Sequence, residues 1–227
     1  MLSETHCREN ILASGPKDVY NRRDINKKEG ENHPMAMEFE VKYRADAAAL
    51  TAIEAALPGD YKETHMTTTY YDNPNGDFSS RRWTLRHRCE GDQHVCTLKT
   101  PGSGSLTRSE YESNGSDIQE AIPYLIRLSG FDELKVLVED GLQVIGGARF
   151  TRRSRMLTVG GTTAELALDC GVLTKGELEE PFAEMEVELK DGYQEEVLAI
   201  GLILSSKFGL TPEPKSKFAR ARELGGK

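Results

Sequence analysis

The sequence has no apolar run long enough to cross a membrane as a helix. A spanning helix needs about 20 apolar residues, whereas the longest candidate, VLAIGLIL at 197–204, is much shorter. The first 34 residues also lack the apolar core of a secretory signal. We therefore expect no membrane partner and a cytoplasmic location.

Cysteine and histidine are scarce, and their spacing along the chain suggests none of the common sites that are built from them. The four cysteines (Cys7, Cys89, Cys96 and Cys170) form no CxxC pair, so no zinc cage is indicated. Cys89 and Cys96 would meet across a hairpin, but reduced thiols suit a cytoplasmic protein better than a disulfide. The five histidines show no ligand spacing, and no Ser-His-Asp arrangement, Cys-His arrangement or GxxxxGK[ST] phosphate loop occurs.

A net positive charge is also absent. The chain carries 29 Lys and Arg against 37 Asp and Glu, which gives a net charge of −8. Broad binding to nucleic acid needs a basic footprint, so we expect no nucleic-acid partner. A local basic pocket for a small anion remains compatible with this balance.

What the chain does contain is a polar arm followed by one domain of strands and helices. Residues 1–34 lack sustained periodicity, which predicts a disordered arm, and residues 35–227 form the domain. Turns such as NPNGD and CEGDQ separate short alternating segments. Strands are predicted at 37–44, 65–72, 81–88, 94–100, 107–113, 148–157, 163–169 and 182–190, and helices at 46–57, 116–130 and 194–209.

Charged and apolar residues alternate along most of these strands. Side chains alternate across a strand, so MEFEVKYR has one charged face, made of Glu38, Glu40, Lys42 and Arg44. One such face is normally solvated, but seven in series predict a sheet that closes with its charges inside. Arg81 and Arg152 fall on the opposite faces of their strands. The remaining charged sets are Arg82, Arg86 and Arg88; Lys99; Arg108, Glu110 and Glu112; Arg149, Arg153 and Arg155; Glu165 and Asp169; and Glu184, Glu186 and Glu188.

The two signs of charge segregate between strands. The first and last strands are acidic, whereas 81–88, 94–100 and 148–157 are basic. Two Glu-x-Glu pairs supply hard oxygen ligands that suit Mg²⁺ or Mn²⁺ rather than zinc. Arginine and lysine suit a polyphosphate, and arginine adds bidentate contacts. The pattern therefore indicates a site for a metal ion and a polyphosphate.

Ordered motifs along the chain resemble those of one family. EFEVK resembles the ExExK signature of the CYTH superfamily, the triphosphate tunnel metalloenzymes. TTTYYDN, TLRHR, TLKT, TRSEYE, FTRRSR, ELALDCG, FAEMEVEL and KSKFARA are similar, in order, to the motifs that follow it in that family. The similarity spans about residues 37–222, and FTRR and ELALDCG are most like the bacterial inorganic triphosphatases. One departure is Thr151, where many relatives carry lysine.

The resemblance implies a mainly β (α+β) fold, namely a closed eight-stranded antiparallel β-barrel around a triphosphate tunnel with helices packed outside. It also implies hydrolysis of a small-molecule triphosphate with Mg²⁺ or Mn²⁺, and we expect a monomer or homodimer. The candidate metal ligands are Glu38, Glu40, Glu110, Glu112, Asp169, Glu184 and Glu186. The candidate substrate-binding residues are Lys42, Arg44, Arg86, Arg88, Lys99, Arg108, Arg153, Arg155 and Lys217. The candidate catalytic residues are Glu38, Glu40, Lys42, Glu184 and Glu186.

The expected reaction is hydrolysis of inorganic triphosphate to pyrophosphate and phosphate. The charged faces leave few groups to recognise a base, and the rings near the motifs (Phe39, Tyr43, Trp83 and Tyr111) fall opposite the charges. The alternatives are a class IV adenylate cyclase, a thiamine or nucleoside triphosphatase, and a non-enzymatic module that binds polyphosphate or nucleotide. The carboxylate pairs argue against the binding module, since anion binding does not need them.

Overall fold

The computed structural model describes residues 36–226, and the predicted arm at 1–34 lies outside this range. Within the described range the chain forms nine strands and six helices. The strands are β1 (Ala36–Arg44), β2 (Lys62–Asp72), β3 (Thr84–Glu90), β4 (Gln93–Pro101), β5 (Thr107–Asn114), β6 (Gln143–Val159), β7 (Thr162–Lys175), β8 (Leu178–Asp191) and β9 (Thr211–Pro212). The helices are α1 (Ala47–Ala56), α2 (Asp77–Ser80), α3 (Ile118–Ser129), α4 (Glu133–Glu139), α5 (Gln194–Phe208) and α6 (Lys217–Glu223).

Eight strands close into an antiparallel barrel, which confirms the predicted fold. The order β5-β4-β3-β2-β6-β7-β8-β1 is completed by the pairing of β5 with β1, where Glu38 lies opposite Arg108. The short β9 only extends the end of β1. Residues on each strand therefore alternate between one closed interior and the exterior.

Helices α1 and α5 cover the exterior of β1, β7 and β8. Phe39 and Val41 of β1 and Val187 of β8 pack with Ile53 of α1 and Val197 of α5 in one buried cluster. Removing this apolar surface from water stabilises the fold. Because the odd-numbered residues of β1 face these helices, its even-numbered charged residues face the interior.

Helices α3 and α4 cover the exterior of β3, β4 and β5. Leu85, Leu98 and Tyr111 of the strands form a second buried cluster with Ile122 of α3 and Leu134 of α4. The apolar side chains of β3 and β4 thus face the exterior of the barrel, under these helices. Their alternate residues, which include Arg86, Arg88 and Lys99, are left for the interior.

The C-terminal helix α6 packs against the interior face at one end of the barrel. Phe218 of α6 contacts Tyr70 of β2 edge to face, with 5.5 Å between ring centroids. Phe150 of β6 and Phe182 of β8 meet in the same way at 5.7 Å and belong to the same buried cluster. These four rings are called the interior aromatic cluster below. The sequence pattern predicted neither α6 nor the short helices α2 and α4.

Two expectations about thiols and membranes can be compared with the structure. Cys89, Cys96 and Cys170 are free thiols, so the alternative of a Cys89–Cys96 disulfide is wrong. Among the described residues, no helix combines the length and the apolar character needed to cross a membrane.

Candidate active site in the barrel interior

Three carboxylates from two neighbouring strands converge inside the barrel. Asp169 of β7 lies opposite Glu184 of β8, and Glu186 follows two residues later on the same face. One oxygen of each carboxylate lies within 4.8 Å of the others, and all three residues are buried. This group is called the carboxylate triad below. Like charges this close together are unfavourable unless cations lie among them.

Two cations from other elements contact the carboxylate triad and offset part of its charge. Lys217 Nζ of α6 lies 2.7 Å from Asp169 and 3.0 Å from Glu186, and it also contacts Glu184. Arg152 of β6 donates to both oxygens of Asp169 at 2.8 and 2.7 Å and to Glu186 at 2.5 Å. The bidentate contact fixes the guanidinium plane against β7.

Burial and these cations shift the two glutamates in opposite directions. Burial raises the pKa of Glu184, and Lys217 offsets only part of that rise. For Glu186, Lys217 and Arg152 outweigh burial and hold the pKa well below its usual range. Arg220 of α6 also contacts Glu184. Within residues 36–226, Glu184 Oε1 accepts no hydrogen bond, although Lys217 lies against it.

A second ion-pair cluster links β1, β3, β4 and β5. Lys99 Nζ lies 2.6 Å from Glu38 and 3.1 Å from Glu110. Arg86 lies 3.2 Å from Glu110. Burial alone would raise the pKa of Glu110, but Lys99 and Arg86 lower it to about 2. Glu38 and Glu110 are therefore carboxylates that already have cation partners.

Glu40 and Lys42 lie on β1 between the two ion-pair clusters. Lys42 lies opposite Glu186 in the pairing of β1 with β8 and is 3.6 Å from Glu40. Burial, followed by the charge of Glu186, raises the pKa of Glu40. Glu40 is thus within electrostatic reach of the carboxylate triad.

Arg88 lies close enough to two other interior arginines, Arg86 and Arg152, to be repelled by both. Burial, followed by the charges of Arg86 and Arg152, lowers the pKa of Arg88. Arg88 donates to the Thr68 hydroxyl at 3.1 Å and lies 3.3 Å from Glu90. Arg86 Nε is buried without a hydrogen-bond partner in the described part of the chain. Converging cations and an unused buried donor are typical of a site that binds an anion. Arg86, Arg88 and Arg152 are called the arginine trio below.

The predicted orientation of β6 is wrong by one residue. Arg153 contacts Glu54 of α1, and Arg155 donates at 2.7 Å to two carbonyls at the end of α1, so both lie outside the barrel. Arg152, which was predicted to face outward, is the β6 arginine that lies inside. Arg153 and Arg155 are therefore removed from the candidate phosphate ligands. Thr151 shares their exterior face, so the absence of lysine there takes no charge from the interior.

Three further candidates lie at the margins of the interior. The Arg44 side chain is 64% exposed and pairs with Glu213 at 2.5 Å. Arg108 donates to the carbonyl of Arg82 at 3.4 Å, and the Glu112 side chain is 52% exposed. Alternation places these residues on the charged face, but it does not show how far along the barrel they lie.

Sequence reasoning missed Arg220 and the interior aromatic cluster. Lys217 and Arg220 are three residues apart, a spacing that places both on one face of a helix. A helix over KFARARE would therefore have presented both cations to the same side. The rings of Tyr70, Phe150 and Phe182 gave no comparable signal, because each shares its strand face with charged or polar residues.

The donor set fits a hard divalent cation. The carboxylate triad offers only oxygen ligands, and burial, followed by the charge of Glu186, raises the pKa of the nearby Glu40. Mg²⁺ and Mn²⁺ prefer such ligands. The Glu184 oxygen that accepts no hydrogen bond within residues 36–226 lies against the Lys217 ammonium, so a metal ion bound there would take the place of that cation. Because the carboxylates of both ion-pair clusters contact lysine or arginine, the triad, Glu40, Glu38 and Glu110 all stay candidate metal ligands.

The fold and interior together define a class of closed antiparallel barrels with a charged interior. Residues 36–221 match the model of the CYTH domain. The chain therefore belongs to the CYTH domain family, as the resemblance predicted.

Several known proteins are similar to this chain. An inorganic triphosphatase of Haemophilus influenzae is 30% identical over 171 residues, which cover 74% of this chain and 48% of that protein. The chain thus spans about half the length of this curated relative. An adenylyl cyclase candidate from Hippeastrum with a dominant triphosphatase activity matches at a TM-score of 0.59 and 22% identity, over 83% of this chain and 96% of that one. An adenylate cyclase candidate from Bacillus halodurans matches at a TM-score of 0.56 and 15% identity, over 80% of this chain and 96% of that one. These structural matches support the fold alone.

Proposed function

We propose that this chain hydrolyses inorganic triphosphate to pyrophosphate and phosphate, with Mg²⁺ or Mn²⁺ as its cofactor. The observation that carries the proposal is the presence of the arginine trio and the carboxylate triad in one closed interior. A triphosphate needs several cations along its length, together with a divalent ion whose own ligands are carboxylates. The triphosphatase relative from Haemophilus influenzae supports the same activity.

The basic residues bind and orient the substrate in this proposal. Arg86 and Arg88 point from β3 into the interior, and Lys99 and Lys42 lie on the neighbouring parts of the wall. Their burial holds these charges in place before the substrate enters, so little reorganisation is needed as negative charge develops. Arg86 Nε can gain an acceptor from the substrate, because the described residues provide none.

Asp169, Glu184, Glu186 and Glu40 are the residues that would hold the divalent ion. Such an ion neutralises phosphate charge and lowers the pKa of water when it is bound. Lys217 and Arg152 hold Glu186 in its ionised form, as its lowered pKa shows, whereas burial raises the pKa of Glu184 and of Glu40. These cations therefore maintain Glu186 in the charged form that metal binding requires.

The reaction adds water to a terminal phosphorus and breaks its bond to the bridging oxygen. Pyrophosphate leaves with the electron pair of that bond, and a proton from water is released. Among the described residues, His65, His87 and His94 lie on the exterior strand faces, opposite the interior charges. An interior carboxylate is therefore the proton acceptor that the fold offers.

Inorganic triphosphate is favoured over nucleotides because the interior offers charges rather than free rings. The interior aromatic cluster packs edge to face on itself. Parallel measurements of kcat/KM for inorganic triphosphate, ATP and thiamine triphosphate, with Mg²⁺ and with Mn²⁺, test this choice. We expect the highest value for inorganic triphosphate. A higher value for either organic substrate, or cyclic AMP as a product of ATP, would contradict the substrate assignment.

A further inference from the structure

The exterior of the β3–β4 hairpin carries two imidazoles and a thiol in one group. His87 and Cys89 share a face of β3, and His94 on β4 lies directly opposite Cys89. His87 Nε2 lies 3.1 Å from His94 Nδ1, and Cys89 Sγ lies 3.4 Å from that same nitrogen. One ligand atom from each residue lies within 4.8 Å of the others. These three residues are called the hairpin cluster.

The hairpin cluster is separated from the barrel interior by the strand that carries it. Arg86 and Arg88 alternate with His87 and Cys89 along β3 and point to the opposite side. His94 is exposed, and the other two residues are partly buried. An ion can therefore reach the cluster from solvent without entering the interior.

We propose that the hairpin cluster binds one borderline divalent cation, Zn²⁺ in particular, through His87, Cys89 and His94. Two imidazole nitrogens and a thiolate are donors that Zn²⁺ prefers, and three protein ligands leave a fourth position for water. The carboxylate triad, with oxygen donors only, selects harder ions. The two sites are thus chemically distinct.

The separations in the hairpin cluster are close to those that tetrahedral coordination requires. Zn–N bonds of about 2.0–2.1 Å and a Zn–S bond of about 2.3 Å place two nitrogens about 3.3 Å apart and a nitrogen and a sulfur about 3.6 Å apart. The two contacts to His94 Nδ1 therefore lengthen by only about 0.2 Å on binding.

The hairpin also holds the metal-binding side chains in position and favours the neutral form of His87. A tight turn at Gly91, with φ +61°, connects the two strands, and the rings of His87 and His94 stack at 5.2 Å and 11°. Burial, followed by the charge of His94, lowers the pKa of His87. A neutral imidazole is the form that binds a metal. The charge of Asp117 opposes this lowering of the His87 pKa. The Asp117 carboxylate also accepts a hydrogen bond from a backbone amide at the start of α3.

Cobalt(II) is a suitable probe, because a tetrahedral cobalt thiolate gives charge-transfer and visible absorption bands. The reduced protein is held in excess Mg²⁺, which occupies oxygen sites, and is titrated with Co²⁺ alone. We expect one equivalent of Co²⁺ to produce a thiolate band, and added Zn²⁺ to abolish it. A wild-type protein that shows no thiolate band would overturn the proposal.

Variants assign the band to the hairpin cluster. Cys89→Ser is expected to abolish it, and His94→Gln to lower Zn²⁺ affinity by about tenfold or more. Cys170→Ser and His65→Gln change a thiol and an exterior imidazole outside the cluster. These two variants should leave the thiolate band and the Zn²⁺ affinity unchanged. Circular dichroism checks that each variant is folded, and His87→Gln replaces any variant that is not. A thiolate band that survives in folded Cys89→Ser, or is lost in Cys170→Ser, would refute the site.

Discussion

Arg152 and Arg153 are adjacent in sequence but lie on opposite sides of the barrel wall. Arg152 neutralises two buried carboxylates, Asp169 and Glu186, whereas Arg153 pairs with Glu54 on the exterior. Arg152→Ala should lower the free energy of unfolding by about 3–5 kcal/mol, since it leaves buried charge without its partner. Arg153→Ala should change it by about 0.5 kcal/mol or less. Urea denaturation without divalent metal measures both, and equal losses would show that the β6 register is wrong.

Arg86 provides the corresponding prediction for activity. Its buried Nε has no partner in the described chain, and its Nη2 lies near Glu110. Arg86→Ala should lower kcat/KM for inorganic triphosphate by about 10²–10³-fold, the usual cost of losing one preorganised donor. Arg81→Ala is the matched control, because Arg81 pairs with Asp77 outside the site. Steady-state kinetics compare them, and a wild-type kcat/KM in Arg86→Ala would remove Arg86 from the phosphate-binding set.

At the scale of single elements, the success of the sequence reasoning depended on how clearly each strand alternates. MEFEVKYR and FAEMEVEL have charges on one face and apolar residues on the other, and both were oriented correctly. In RFTRRSRML, arginines occupy both faces of the strand. The apolar residues are divided in the same way, because Phe150 lies inside the barrel and Leu157 outside. Neither the odd-numbered nor the even-numbered residues of β6 are apolar throughout. Only the tertiary pairing with Asp169 distinguishes Arg152 from its neighbours.

Helix α6 shows a second limit of sequence reasoning. KFARARE resembles an exposed basic tail, but Lys217 and Arg220 are buried because the strands opposite supply carboxylates. A short charged segment carries no local sign of such partners, since its apolar residues are few. Only the motif resemblance, which pointed to Lys217, therefore indicated that this segment belongs to the site.

Lys217 allows a test of α6 as an element of the site. Lys217→Met keeps the length of the side chain but removes the cation shared by Asp169, Glu184 and Glu186. We expect it to lower the free energy of unfolding by about 3–5 kcal/mol in EDTA. Lys215→Met is the control, because Lys215 forms an exposed pair with Glu223 that contributes about 1 kcal/mol or less. Similar denaturation midpoints for the two variants would contradict the role given to α6.

At the scale of the whole molecule, alternating strands and hairpin turns indicated the sheet, whereas its closure depends on long-range pairing. The contact of β5 with β1 joins segments far apart in sequence. The charged faces suggested closure because seven such faces are unusual on an open sheet. The choice of partner strands followed from the family resemblance rather than from local pattern, since alternation does not specify neighbours.

The closed interior also predicts that divalent ions stabilise the whole protein. A ligand present at about 100 times its Kd and bound only to the folded state adds about 2.7 kcal/mol. Thermal melts in EDTA and in excess Mg²⁺ should therefore show a higher Tm with Mg²⁺. The double variant Glu184→Gln/Glu186→Gln should lose most of this shift. An unchanged Tm for the wild-type protein would argue against a metal site at the carboxylate triad.

Hydrolysis of inorganic triphosphate, the reaction proposed for this interior, can be followed directly. Phosphorus NMR of triphosphate incubated with the protein and Mg²⁺ follows substrate and both products in one sample. We expect loss of triphosphate with pyrophosphate and phosphate formed in equal amounts, and no conversion in EDTA. Persistence of triphosphate with both Mg²⁺ and Mn²⁺, or conversion that continues unchanged in EDTA, would contradict the proposal.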